Sequence, residues 1–389
     1  MSTQSVRRIL LPSVLGLIVL VLIAMPSPLP WNIGAIDFRA YWSASHLLVR
    51  RENFADPVRI FQVEREQTGW WEDYPMLTWN PPWLLVMLVP YALVPFRRAL
   101  WWWMLTSIVF VFISAILLWQ ARTPSHSIKG YGWIAPIVAF AYSPTLIALI
   151  AGQVNILVLA GLSGFIWFCS QRRCAGAGAA LVLTTVKPHL VYVTIPILLL
   201  DLARRRCWRE IVVFFGGLLG LSAVAVLLRS TFLSDYLATV GGGNLLAWET
   251  PTLGGWLGLA FRWEWAKLIG VAVLPLAILV WSRNPARWDI QTLVDATVLV
   301  SIISAPFAWS YDFVVLLVPL IRVILWMVTG TFGRFETITL AVLLVSADVA
   351  MFYERIQSPS EVYYFWVPLL VSGIYIYGWL RQRRESIYA

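Results

Sequence analysis

The sequence predicts an all-α polytopic membrane protein, and three observations carry that class. The 389 residues are 60% hydrophobic and only 13% charged, against about 25% charge in a soluble domain; the mean hydropathy is +0.75. Apolar runs of membrane-spanning or near-spanning length recur from end to end. The short loops between them hold most of the Arg residues, the positive-inside pattern. That pattern accounts for the net charge of +9 without a nucleic-acid partner.

The other compositional signals narrow the chemistry. Cys169, Cys174 and Cys207 lack metal-site spacing and sit beside Arg-rich loops, so free thiols are expected. His46, His126 and His189 are scattered. There is no P-loop, no Asp-x-Asp pair and no His-Glu-x-x-His zinc motif, so neither a metal nor another cofactor is expected. Of the 23 Trp, those at Trp70, Trp71, Trp79, Trp83 and Trp101 to Trp103 are expected to form an interfacial belt.

In chain order, Arg7 and Arg8 precede an apolar run from Ile9 to Ala24, read as an uncleaved first span with its N-terminus in the cytoplasm. Residues 26–98 then form a long first external loop. Within it, Phe38, Tyr41, Trp42, Leu48 and Val49 fall at helical spacing, which predicts an amphipathic helix from Asp37 to about Arg50. Asp37 opens that helix. On spacing alone it serves as an ordinary helix cap; a carboxylate just beyond a membrane span is also placed to act as a base at the surface. Asp56-Pro57 marks a second helix start, and Val58, Phe61 and Glu64-Arg65-Glu66 are expected to share a helix lying on the surface. Residues 83–95 are apolar but short, at about 1.5 Å rise per residue against roughly 30 Å of hydrocarbon, and Pro90 and Pro95 interrupt them.

Further spans are expected near 99–119, 132–150, 155–170, 175–186, 189–201, 211–229, 266–282, 290–306, 312–328, 337–353 and 362–379. With the first, that makes about twelve, in one integral domain over 1–389 with both termini cytoplasmic. Residues 230–265 form a second external loop, with Asp235, Tyr236, Gly241-Gly242-Gly243-Asn244, Glu249 and Arg262. In this scheme Arg122 with Lys129, Arg172-Arg173, the 204–209 cluster, Arg283 with Arg287 and the C-terminal Arg residues lie inside, while Arg97-Arg98 stays outside. Polar groups beside membrane segments are costly and mark sites or pathways, and here they gather on the external face. Gly152-Gln153-Val154-Asn155 offers amides suited to sugar hydroxyls, or a plain turn. Lys187-Pro188-His189 offers a cation for a lipid phosphate, or a lysine that snorkels. Trp309-Ser310-Tyr311-Asp312 offers a second carboxylate, or the cap of the next helix.

These elements together resemble glycosyltransferase family 87, hexosyltransferases of the GT-C fold that use polyprenyl-phosphate sugars. The matching residues are Asp37-Phe38 with Tyr41-Trp42, Asp56-Pro57, Tyr74, Pro81-Pro82-Trp83, Pro144, Gly152-Gln153-Val154-Asn155, Lys187-Pro188, Ser304, Trp309 and Tyr311-Asp312. The chain departs from the family where Tyr311-Asp312 replaces paired histidines. The resemblance implies a GT-C fold, a polyprenyl-phosphate sugar donor (mannose first among hexoses), a lipid- or glycan-linked acceptor, and membrane lipids as surroundings. It implies Asp37 as the catalytic base. Lys187, Arg39 and Arg262 are then candidates for the donor phosphate, and Tyr41, Gln153, Asn155, His189, Tyr311 and Asp312 for the sugar or acceptor. A polytopic transporter or flippase of lipid-linked sugars is the alternative; it would favour midplane charges and internal repeats, and the sequence has neither.

Overall fold

The computed structural model describes residues 35–123, 131–243, 247–357 and 360–388. The expected first span at Ile9–Ala24, together with Asn244, His126 and Lys129, lies outside them. The described chain is helical, and no strand occurs among the described residues.

Among the described residues, six helices are long and apolar enough to cross a membrane: Phe96–Arg122, Trp208–Leu228, Trp265–Arg283, Ser310–Thr329, Arg334–Gln357 and Glu361–Arg384. A seventh crossing is available if Ile134–Ala141 and Ser143–Ala151, bent by 63° to each other, count as one span. The expectation of about twelve spans therefore exceeds what the described helices support. The reason is length. Helices do form at 155–170, 174–184, 194–204 and 290–304, but the two of 11 residues reach only about 16 Å at 1.5 Å per residue, roughly half a hydrocarbon core.

The bend before Ser143 positions much of the interior. Tyr142 is extended at the cap position of the second helix, and Pro144 stands in that helix's first turn, where its missing N–H leaves no helical bond unmade. The backbone N–H freed at Ser143 is taken by Asp348 Oδ1 at 2.8 Å, from a different long helix.

The first helix of the first loop does not lie on the surface. Helix Ile36–Val49 buries Phe38, Arg39, Ala40, Tyr41, Trp42, Ser43, Ala44, Ser45, Leu47 and Leu48, so the expected amphipathic helix is a core element. Its aromatic side chains pack against the next span: Phe38 stacks on Trp103 with centroids 5.5 Å apart and on Phe96 at 6.1 Å. The second helix starts as its sequence requires. Asp56 accepts from Val58 N and Arg59 N, and Pro57 stands in the first turn of Pro57–Val63. Residues 83–92 form only two short helices, Trp83–Met87 and Val89–Ala92.

The tryptophan belt is only partly present. Trp71 and Trp102 are exposed, whereas Trp70 and Trp103 are buried. Trp103 Nε1 donates to the Gly152 carbonyl at 3.0 Å, and Trp83 Nε1 donates to Thr185 Oγ1 at 3.0 Å. Arg122 is also not a loop charge. It is buried, bonded to Asp295 and to the Val318 carbonyl, with Arg322 Nη1 on the other oxygen of Asp295 at 3.0 Å.

Candidate active site

Four chain segments meet around Asp37. The first is the start of helix Ile36–Val49. Ala35, not Asp37, is the residue at the cap position, so capping does not account for this carboxylate. Asp37 is partly accessible yet densely surrounded by protein, and that burial pushes its carboxyl up to about 6. Gln153, with the charges of Lys187 and Arg355, pulls the other way; Asp312 adds to the rise. An acid raised by desolvation to about 6 is still mostly ionised at neutral pH and is a better proton acceptor than an ordinary aspartate.

The second segment is the turn at 152–155. Gly152 takes φ +72° at the end of Ser143–Ala151, a left-handed conformation that glycine adopts without steric penalty. The turn aims Gln153 at the first helix. The Gln153 amide donates toward Asp37, and its Oε1 accepts from Tyr41 Oη at 3.1 Å. Tyr41 follows Asp37 by one helical turn and so shares its face. Burial holds the Tyr41 phenol well above its usual range, so it stays a neutral donor.

The third and fourth segments pair with each other. Lys187 Nζ donates to Asp312 Oδ1 at 2.7 Å, with both side chains almost wholly buried. Asn155 Nδ2 donates to the Tyr311 carbonyl at 2.7 Å and to Asp312 Oδ1 at 3.2 Å. The backbone N–H of Trp309 donates to Asp312 Oδ2 at 3.0 Å. Asp312 thus does cap its own helical turn, and it also receives the lysine. Lys187 does not snorkel; it turns inward, 4.8 Å from the centroid of the Tyr311 ring. Burial beside Lys187 holds the His189 imidazole well below its ordinary value, hence neutral. It packs against Phe307 with centroids 4.5 Å apart and the rings tilted by 45°, and its Nε2 is buried with no hydrogen-bond partner among the described residues.

A half-buried aromatic wall extends from this cluster. Tyr311 stacks on Trp309 at 5.9 Å; Trp309 meets Trp248 at 5.3 Å; Trp248 meets Trp79 at 5.5 Å. The second loop closes onto the first here, because a Cβ on Gly243 would overlap the Trp79 ring. Lys267 Nζ bonds the Trp248 carbonyl from behind.

Two of the sequence-derived cations stand elsewhere. Arg39 comes two residues after Asp37, about 200° around the helix at 3.6 residues per turn. Its Nε donates to Thr68 Oγ1 at 2.7 Å, and its guanidinium sits 4.9 Å from the Trp70 ring centroid. Arg262 is exposed at the end of Leu253–Phe261, and among the described residues no hydrogen bond or ion pair joins it to the cluster. The cation that sequence reasoning missed is Arg355, whose charge acts on Asp37. Nothing in its surroundings in the chain marks it out. An apolar groove of about 240 Å³, lined by Val193, Ile197, Val273, Leu293 and Val300 among others, lies apart from the polar cluster and suits a hydrocarbon chain rather than a sugar.

No curated protein and no solved structure matches the chain. The family model that matches covers residues 78–347; it takes in Gln153, Asn155, Lys187, His189, Arg262, Tyr311 and Asp312, and begins after Asp37, Arg39 and Tyr41. That range is well over half the sequence, and the chain belongs to glycosyltransferase family 87.

Proposed function

We propose that this membrane glycosyltransferase moves a hexose, mannose in the first instance, from a polyprenyl-phosphate sugar to a lipid- or glycan-linked acceptor on the external face of the cell membrane. The observation that carries the reading is the environment of Asp37. A carboxylate raised to about 6 is held by the Gln153 amide, with the charge of Lys187 acting on it. Asp37 takes the acceptor's hydroxyl proton as that oxygen attacks the anomeric carbon. The bond from that carbon to the phosphate oxygen breaks, its electron pair leaves with the lipid phosphate, and the anomeric centre inverts. Gln153 and Tyr41 orient the base. His189 and Tyr311, both partly exposed, face the sugar; the buried Asn155 and Asp312 hold the turn that carries Tyr311, and Lys187 supplies positive potential.

The aromatic wall of Tyr311, Trp309, Trp248 and Trp79 supports a carbohydrate substrate, since flat rings pack against the apolar faces of sugars. The separate apolar groove supports a donor with a long hydrocarbon chain. The test is transfer by purified protein. A polyprenyl-phosphate hexose and an extract of the host's membrane lipids should give a new glycolipid by mass spectrometry. The same species should be missing from cells that lack the gene. Unchanged glycolipids in those cells, with no transfer in vitro, would contradict the reading.

A further inference from the structure

We infer that Arg355 binds the phosphate of the lipid donor, an assignment that rests on the proposed polyprenyl-phosphate reading. A donor of that class is a phosphodiester with one negative charge. When the anomeric carbon–oxygen bond breaks, the electron pair stays on the leaving oxygen and the product is a phosphomonoester with up to two charges. A cation beside that oxygen is therefore more strongly bound in the transition state than in the ground state.

The cations of the molecule differ sharply in their fitness for this. Lys187 is closest to the cluster's centre, but its side chain is only 4% exposed and is bonded to Asp312. Arg39 is held by Thr68 on the far face of its helix. Lys267 is bound to the Trp248 carbonyl. Arg355 has the remaining combination of properties. Its side chain is 39% exposed and it pairs through Nη1 with Glu361. That pairing leaves other guanidinium N–H groups for an anion, and a planar fork suits phosphate oxygens.

Its placement fits a lipid headgroup in two independent ways. Arg355 stands near the C-terminal end of the candidate span Arg334–Gln357, the level at which headgroups lie if the helix crosses. That helix also exposes Val342, Val345 and Val349 along its length, an apolar face past which a lipid could slide. Arg355 is tied into the site as well. Glu361 Oε2 accepts from Ser310 N at 2.9 Å, so the carboxylate that orients Arg355 also fixes the backbone next to Tyr311 and Asp312. Ser360 Oγ reaches Glu249 of the second loop at 2.7 Å. The positive charge of Arg355 lowers the Asp37 carboxyl, which puts the cation and the base within one electrostatic site.

The experiment measures binding, so it needs no turnover. Protein in neutral-lipid nanodiscs is titrated with polyprenyl phosphate and, separately, with uncharged polyprenol, and binding is followed by native mass spectrometry. Wild type should prefer the phosphate. Arg355→Gln should lose about 10- to 100-fold in affinity for polyprenyl phosphate, the size of a charge-assisted hydrogen bond, with polyprenol unchanged; Arg355→Lys should recover part of it. An Arg355→Gln protein that binds polyprenyl phosphate as wild type does would overturn the assignment. So would equal losses for both ligands in both variants, since that marks a structural role. Repetition in phosphatidylglycerol nanodiscs separates donor from bulk lipid. Wild-type affinity should persist there, and its abolition would make Arg355 a general headgroup contact and overturn donor binding. A wild type with no preference for phosphate over polyprenol would instead remove the donor reading itself.

Discussion

At the scale of the residue, Asp37 reconciles two demands that oppose each other. Burial raises its carboxyl to about 6, which makes it a stronger base and also makes its ionised form a burden on the fold. The folded value lies above the unfolded one. Between about pH 4 and 6 the folded protein holds a proton that the unfolded chain has released, so stability falls as pH rises through that window and the loss is complete above it. Two outcomes are expected. kcat/KM should rise about tenfold per pH unit below pH 6 and level off above it, because the base must be ionised. The melting temperature of Asp37→Asn should exceed that of wild type at pH 8, while at pH 4 the two should converge. A flat rate profile from pH 5 to 8 would contradict a base of this kind. Lys187, Arg355, Asp312 and Gln153 surround Asp37, and the observed midpoint belongs to that whole set.

At the scale of the element, the site is made by short broken pieces and not by long helices. The Gly152 turn, the Lys187-Pro188 break and the 309–312 turn each interrupt an apolar region; the first two were legible because Gly and Pro stand where helices must stop, and the third because Asp312 reads as the cap of the next helix. Their pairing was not legible: Lys187 and Asp312 are 125 residues apart, and each carried only a local reading. The position of Arg39 was readable from helix geometry, since two residues on from Asp37 lies on the opposite face. Arg355 gave no signal, being one Arg at the end of one span. The pairing changes what a lysine variant reports. Lys187→Ala leaves Asp312 buried with its ionic partner gone, a loss of about 3–5 kcal/mol. It should therefore lower the melting temperature markedly as well as activity, and Lys187→Arg should retain more of both. Lys187→Ala melting with wild type would show that the pair does not hold these segments together.

At the scale of the whole molecule, the class was legible and the number of crossings was not. Hydropathy finds every apolar segment, but it cannot tell a span from a half-length helix packed inside the protein; residues 174–184 and 194–204 are of the second kind by length. The same blindness hid the burial of Ile36–Val49, since its Arg39, Ser43 and Ser45 look polar in sequence and are buried in the fold. The expected sidedness rests on the charge pattern and is open to a direct check. After the native cysteines are replaced by Ser, a Cys at the exposed Val58 should be modified by an impermeant reagent in intact cells. A Cys at the exposed Gln171 should react only after permeabilisation. The reverse pattern would invert the topology and move the site to the cytoplasm.

The most direct measurement of the central claim is turnover by Asp37→Asn beside wild type, with purified protein, a polyprenyl-phosphate hexose and an acceptor that the wild-type enzyme demonstrably glycosylates. Asparagine keeps the size and much of the hydrogen bonding of the side chain, but it cannot take the proton. The account gives a folded protein at normal yield whose turnover falls by about 10²- to 10⁴-fold, the usual contribution of a general base. A folded Asp37→Asn protein that transfers sugar within a few-fold of wild type would contradict it.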